Sequence, residues 1–215
     1  MRRALKVIGI TLAILIGALI AYETYAVVRA KSRTPAVLAE AAKGELKLSD
    51  LPPRRIAMIV QVEDPGFYRH HGFDYSTPGA SMTSITQSLV KHFYFAHFHK
   101  GFPKIEQTLI AWLVLDPTMS KADQLKAYLN FTYFGSIRGR PVIGYADAAR
   151  TYYGRELGQL SDHEFVSLLA MTMAPNALDP LRHRTENAER IRRIEALLAG
   201  KCQPTGVRDV AYEAC

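Results

Sequence analysis

Between Glu63 and Asp74 the chain reads Glu-Asp-Pro-Gly-Phe-Tyr-Arg-His-His-Gly-Phe-Asp, which places an acid pair, a cation and a histidine pair within one short stretch. The apolar run Ile56–Val62 precedes it and would set Glu63 at the end of a rigid, buried element. A carboxylate held where apolar structure meets a loop has the setting of a general base, because partial burial raises its pKa. The plainer assignment is that Glu63 caps a helix or pairs with Arg69, and local pattern alone leaves both open. A hydroxyl-rich run, Ser81-Met-Thr-Ser-Ile-Thr-Gln87, follows. Its side chains would serve a ligand, or else act as turn and cap donors. His70, His71, His92, His97 and His99 invite a metal site, but none forms an i, i+4 helical pair with a supporting acid, so none is expected.

Helical periodicity surrounds this stretch. Ile85, Leu89 and Phe93 recur every fourth residue and predict a helix from about Thr83. Ile105, Leu109, Trp112 and Leu113 mark the next helix, closed at Asp116-Pro117. Ser120-Lys-Ala-Asp123 reads as a helix start, with Leu125, Tyr128, Leu129 and Tyr133 as its apolar face and Gly135 as its stop. The two tyrosines on that face read as core. A Gly/Arg/Pro loop over 136–144 leads to a shorter helix through Ala149 and Tyr152. Ser161-Asp-His-Glu164 is a capping box ahead of Phe165, Leu168, Leu169 and Met173, stopped by Pro175. Ile191, Ile194, Leu197 and Leu198 give a last helix that stops at Gly200. With no alternating strand, hairpin signal or internal repeat, the expected fold is all-α.

A length of 215 residues suits one domain with a core plus a tail or anchor. The net charge of +7 asks for an anionic partner: nucleic acid, a membrane surface or a phosphorylated substrate. No dense Arg/Lys recognition helix occurs, which makes nucleic acid the weakest of these. At the N-terminus Arg2, Arg3 and Lys6 precede the uncharged run Val7–Tyr22. Continued to Val28, with Glu23 as the one interruption, it reaches the roughly 20 residues that cross a bilayer as a helix. Tyr22 and Tyr25 suit the interface. A cleaved signal peptide is the rival; the run is long for one, and no small-x-small cleavage site follows. The expected division is a cytoplasmic N-terminus at 1–6, an anchor at 7–28, a stalk at 29–50, a globular domain at 51–200 opened by Pro52-Pro53, and a tail at 201–215. Arg29, Lys31 and Arg33 nearly balance the N-terminal cations, so the charge rule only narrowly favours the domain outside. Cys202 and Cys215 would close a small loop in an oxidising compartment, or stay free thiols in a frayed tail.

Several stretches together resemble one family in order and spacing, the peptidoglycan glycosyltransferases in their monofunctional biosynthetic transglycosylase form. Glu63-Asp64, Phe67, His70, Gly72 and Asp74 resemble its first motif, and Thr83-Ser-Ile-Thr-Gln87 with Leu89, Val90 and Lys91 its second. Lys121, Leu125, Tyr128-Leu-Asn130 and Tyr133-Phe-Gly135 resemble the fourth. Gly144, Ala148-Ala149, Tyr152-Tyr-Gly154, Leu160, Glu164, Leu169-Ala170 and Pro175 resemble the fifth. The likeness runs over residues 50 to 198. The chain stops where a penicillin-binding domain would follow, so the single-activity form is expected.

The resemblance implies a lysozyme-like helical domain on the outer (periplasmic) face of the bacterial inner membrane that joins lipid-linked disaccharides (lipid II) into glycan strands. Its partners would be lipid II, the growing glycan strand, membrane lipid and other cell-wall synthesis proteins, with no nucleic acid. It implies Glu63 as the base that deprotonates the acceptor hydroxyl, with cations where the lipid pyrophosphate leaves. Lys91 matches such a cation, Arg155 stands where the family usually has a lysine, and Lys100 and Lys104 lie near the family's arginines. Thr83, Thr86 and Gln87 would donate to sugar or phosphate oxygens. A divalent cation, Mg or Mn, would also suit the pyrophosphate. The third motif departs most. Counted without gaps, Lys104 stands on its arginine, Ile105 on its lysine and Thr108 on its glutamate. Glu106 serves as the second acid only if the helix starts in another register, because two residues turn a helix by about 200°. Otherwise the chain is a weak or inactive relative that acts as a glycan- or lipid-binding scaffold.

Overall fold

The computed structural model describes residues 2–81, 83–98, 101, 103–207 and 209–215. Met82, His99 and Lys100 therefore lie outside the described residues. Helix α1 (Arg2–Ala42) is continuous through the apolar run and the first part of the 29–50 segment expected as a stalk. Its large apolar side chains from Leu5 to Val28 are mostly exposed, and it is long and apolar enough to cross a membrane. Beyond Ala26 it changes character: Ala30, Thr34, Val37 and Ala41 fall on one helical face and are buried against the domain. Arg33 donates to the Tyr94 carbonyl at 3.0 Å, and the Thr34 and Tyr94 hydroxyls lie 2.9 Å apart. After the helix, the Asn130 amide brackets Leu46, accepting from its N–H and donating to its carbonyl, both at 2.9 Å. The polar Ala/Lys composition hid this face because its buried positions are small.

Helix α2 (Pro53–Glu63) starts on a proline at its first turn, where the missing N–H is not needed. It buries Met58, Ile59 and Val62 and ends on Glu63. A loop carries the chain to α3 (Ile85–Tyr94), whose N-cap Ser84 and third residue Gln87 form a reciprocal capping box. Helix α4 (Pro103–Ile110) runs into a π-helical turn, Ala111–Leu115, and then a short α5 (Asp116–Thr118). Asp116-Pro117 thus continues the helical path where a close was expected, since proline is tolerated in a first turn. The π turn also leaves Trp112 and Leu113 exposed.

Helix α6 (Lys121–Phe131) ends four residues earlier than the glycine expected to stop it. Tyr133 and Gly135 instead belong to β1 (Tyr133–Ile137), which pairs antiparallel with β2 (Arg140–Ile143). This small hairpin corrects the expectation of a plain loop over 136–144, inside an otherwise helical fold. Its turn, Arg138-Gly139, has positive φ at both positions, the conformation a tight two-residue hairpin requires. An arginine rarely takes that conformation, so the usual Asn-Gly or Asp-Gly signal was absent. Helices α7 (Tyr145–Tyr153), α8 (Asp162–Met171) and α9 (Arg184–Leu198) complete the domain. Tyr145, Phe134, Phe165 and Leu168 are fully buried where they meet.

The loop after Glu63 presses on the π turn at Gly72, which has φ of +90°. A Cβ there would lie 2.6 Å from the Ala111 carbonyl oxygen. Gly72→Ala is therefore expected to cost about 2 kcal/mol or more, from left-handed strain plus the backbone clash, read as a lowered denaturation midpoint.

Candidate active site

Glu63 ends α2 with its carboxylate ringed by other elements. Tyr128 of α6 donates its hydroxyl to one carboxylate oxygen at 2.9 Å. Thr172, at the C-terminus of α8, places its hydroxyl against the other oxygen and also within reach of the Leu169 carbonyl. Having one proton, that hydroxyl serves one acceptor at a time. Burial raises the Glu63 pKa; the bonds from Thr172 and Tyr128 and the charge of Arg190 pull it back, and Asp64 pushes it up again. Glu63 as a residue keeps intermediate surface exposure.

Asp64 faces the other way and is buried. It accepts from the Ile85 N–H at 3.0 Å, which fixes the start of α3, and both its oxygens lie 2.9 Å from Nε2 of His70. Ser84 donates to the Gly72 carbonyl at 2.6 Å. The loop and the N-terminus of α3 are thereby one unit, and the adjacent residue Thr83 brings in a cation. Lys104 Nζ donates to Thr83 Oγ1 at 3.1 Å and to Gln87 Oε1 at 3.3 Å. Gln87 in turn donates to Thr108 Oγ1 at 2.8 Å. Burial, and then the charge of nearby Lys91, lower the Lys104 pKa to about 8. Lys91 itself is exposed, its ammonium 5.6 Å from the Phe98 ring centre.

Of the residues singled out from sequence, Thr83, Gln87 and Lys104 form one cluster with Lys91 beside it. Gln87 is buried, its amide oxygen accepting from the Ser84 N–H and from Lys104 and its amide nitrogen donating to Thr108, so it aims the lysine, a role the sequence did not assign it. Thr86 is also corrected: it is fully buried and donates to Gln124 at 2.6 Å. Arg155 pairs with Glu164 near the start of α8, whereas Glu63 meets Thr172 at its end, about 12 Å along the helix axis. Glu106 is turned from the cluster. The helix keeps the gapless register, so Thr108 faces Gln87 while Glu106 faces α1, 3.4 Å from the Tyr22 hydroxyl. Lys100 lies outside the described residues. Sequence reasoning missed Thr172, although Leu169-Ala170 and Pro175 of the fifth motif flank it, and read Tyr128 as core; Tyr128 is both core and Glu63 donor. Tyr133, expected on the same helical face, is largely exposed in β1. A groove of about 380 Å³ on the outer side of α2, lined by Pro53, Ile56, Ala57, Val60, Gln61, Pro65 and Tyr68, holds no charged group.

A family profile described as transglycosylase matches residues 31–199, which takes in α1 from Lys31 through α9. The chain belongs to the transglycosylase family. It is 30% identical over 158 residues to penicillin-binding protein 1A of Haemophilus influenzae, covering 67% of this chain and 18% of that protein. It is 29% identical over 158 residues to penicillin-binding protein 1F of Bacillus subtilis, covering 67% and 21%. A Cupriavidus necator protein named as a transglycosylase is 28% identical over 190 residues, covering 80% of this chain and 78% of that one. The chain thus spans about a fifth of the penicillin-binding relatives. The profile begins inside α1, in keeping with the packing of that helix's second half on the transglycosylase domain.

The loop that carries the site is itself pH-sensitive. Burial would raise the Asp74 pKa, but bonds from Thr77 and Ser76 outweigh it and hold the value at about 2, below the ordinary 3.8. A carboxylate depressed on folding adds stability that is complete above its unfolded value and is lost as pH falls through its folded one. In Asp74→Asn, the loss of stability between pH 4 and 2 should be smaller than in the parent, as read by chemical denaturation across that window.

Proposed function

We propose that this transglycosylase-family chain is a membrane-anchored peptidoglycan glycosyltransferase that polymerises lipid II, with Glu63 as general base. The observation that carries the reading is the pairing of a half-buried acid, braced by Tyr128 and Thr172, with a lysine cluster tied to the same loop. In the reaction, the acceptor hydroxyl gives its proton to Glu63 as its oxygen attacks the donor's anomeric carbon. The anomeric carbon's bond to the lipid pyrophosphate breaks with its electron pair leaving on the pyrophosphate oxygen, and the negative charge that grows there is met by Lys104 and Lys91. Thr83 and Gln87 hold the Lys104 ammonium in place. Among the described residues no three His, Cys, Asp or Glu side chains are placed to hold a metal, so no step is assigned to a Mg or Mn ion.

The lipid end of the substrate has a fitting surface. Ile105, Trp112 and Leu113 are exposed on α4 and the π turn, which pack beside α1, and Tyr22 reaches α4. An apolar lip at the depth of the interfacial tyrosines of α1 would lodge lipid chains at the membrane boundary. The domain lies on the outer face in this reading, where the glycan strand grows.

A second reading rests on Thr108. A hydroxyl stands where the family's third motif carries an acid, and Glu106 is turned toward α1, so the chain would bind substrate as a scaffold with little turnover. Incubation of the detergent-purified chain with lipid II, followed by gel separation, decides between them: a glycan ladder supports the polymerase, and binding without a ladder selects the scaffold. Glu63→Gln should abolish the ladder, a loss of at least about 100-fold, with folding intact. The rate profile of kcat/KM should be a bell, with an acid limb above the ordinary glutamate range from Glu63 and an alkaline limb near 8 as Lys104 loses its proton. In Lys104→Arg the alkaline limb should move up out of the measured range.

A further inference from the structure

The residues after α9 lie beyond the family profile, yet they are folded into the back of the site. Cys202 and Cys215 form a disulfide. Within the loop it closes, Asp209 accepts from the Thr205 and Glu213 amides, and the Gly79 N–H donates to Gly206 at 3.0 Å. Arg192 and Arg193 of α9 donate to the carbonyls of Cys215 and Ala211. This arrangement drives Tyr212 inward, at φ of +52° and 1% exposed. Its hydroxyl donates to the Val62 carbonyl at 2.7 Å. That carbonyl belongs to the last turn of α2, whose acceptors have no partner within the helix. Glu63 is the next residue. Over the Tyr212 ring, 4.5 Å from its centre, lies the guanidinium of Arg190. Arg190 is buried, and its Nε and Nη1 groups find no hydrogen-bond partner among the described residues.

An arginine buried without a full set of acceptors is costly to keep, which calls for a compensating charge. Among the described residues, the carboxylate whose charge acts on Arg190 is Glu63. The helix end adds to the need, because a carboxylate at the C-terminal end of α2 meets the negative pole of that helix. We propose that Arg190 and Tyr212 are positioning residues for Glu63, set against the end of α2 by the disulfide-closed tail, so that the base depends on this clasp. The tail thereby has a function in the site, which neither the family match nor the motif pattern assigns to it. The inference builds on the reading of Glu63 as base.

The groups that face Glu63 are Asp64 on its own loop, Tyr128 on α6, Tyr145 on α7, Thr172 at the end of α8, Arg190 on α9 and Tyr212 in the tail. Arg190 is the cation among them, and it favours the ionised acid. Its removal raises the Glu63 pKa, so ionised base is lost at the acid end of the range.

The test follows the Glu63 carboxyl directly in the full detergent-solubilised chain, by isotope-edited infrared titration with Glu63→Gln as the blank. The expected result for Arg190→Gln is a midpoint raised by about one unit, with the acid limb of polymerisation moved equally; that is roughly a tenfold loss of ionised base below the limb. Arg190→Lys should restore most of the shift. Tyr212→Phe and the double variant Cys202→Ser/Cys215→Ser should leave KM in place, lower kcat several-fold and speed amide exchange in the last turn of α2. The proposal is overturned if Arg190→Gln folds and leaves the midpoint in place. It is equally overturned if activity falls by the same factor at every pH without rescue by lysine. Should Arg190→Gln fail to fold, an unchanged kcat and unchanged exchange in Tyr212→Phe overturn it instead. A parent chain that makes no glycan would sink the polymerase reading, while the carboxyl titration would still decide the positioning claim.

Discussion

A carboxylate at the C-terminal end of a helix meets the negative pole of the helix dipole, and Glu63 does so with protein packed around it. Both effects resist ionisation, so the surroundings must hold the acid within the range where it can take a proton and still be charged. Tyr128, Thr172 and Arg190 come from three different helices to do this. The order of α6, α8 and α9 around the end of α2 is therefore also the order of groups around the Glu63 carboxylate. Disturbing any of these packings alters the acid as well as the core.

The second constraint is the loop that follows. Asp64 and Ser84 tie its two ends to the start of α3, and Gly72 lets it press against the backbone of the π turn. Those contacts make the distance from Glu63 to the cation cluster a property of packed backbone. Lys104 is brought in by Thr83 and Gln87, residues adjacent to that junction. Much of the second motif thus supports the lysine. Thr86, by contrast, ties α3 to α6 through Gln124.

Helix α1, long and apolar enough to cross a membrane, is part of the same arrangement. Its first half presents apolar side chains to the outside, and its second half contributes Ala30, Val37 and Ala41 to the core. In the proposed anchored form, such a helix would fix the domain's stance at the bilayer more firmly than a flexible tether. The exposed Ile105, Trp112 and Leu113 lie on the elements that pack beside it.

By itself the sequence determined the helical class, the membrane-length apolar run, the family and the likeness of Glu63 to a base. These are written in local periodicity and in motifs whose spacing survives on one chain segment. It also set the choice over the third motif, since a regular helix cannot carry both Thr108 and Glu106 to one face. The tertiary structure decided that choice, because only packing of α4 against α1 and α3 fixes which face points where. It decided, too, that Thr86 is core, that Arg155 sits at the far end of α8, and that Arg138-Gly139 turns a hairpin. The partners of Glu63 were beyond local reading for the same reason: Tyr128, Thr172, Arg190 and Tyr212 are separated from it by 65 to 149 positions, and nothing within a helical turn records which distant side chain will arrive.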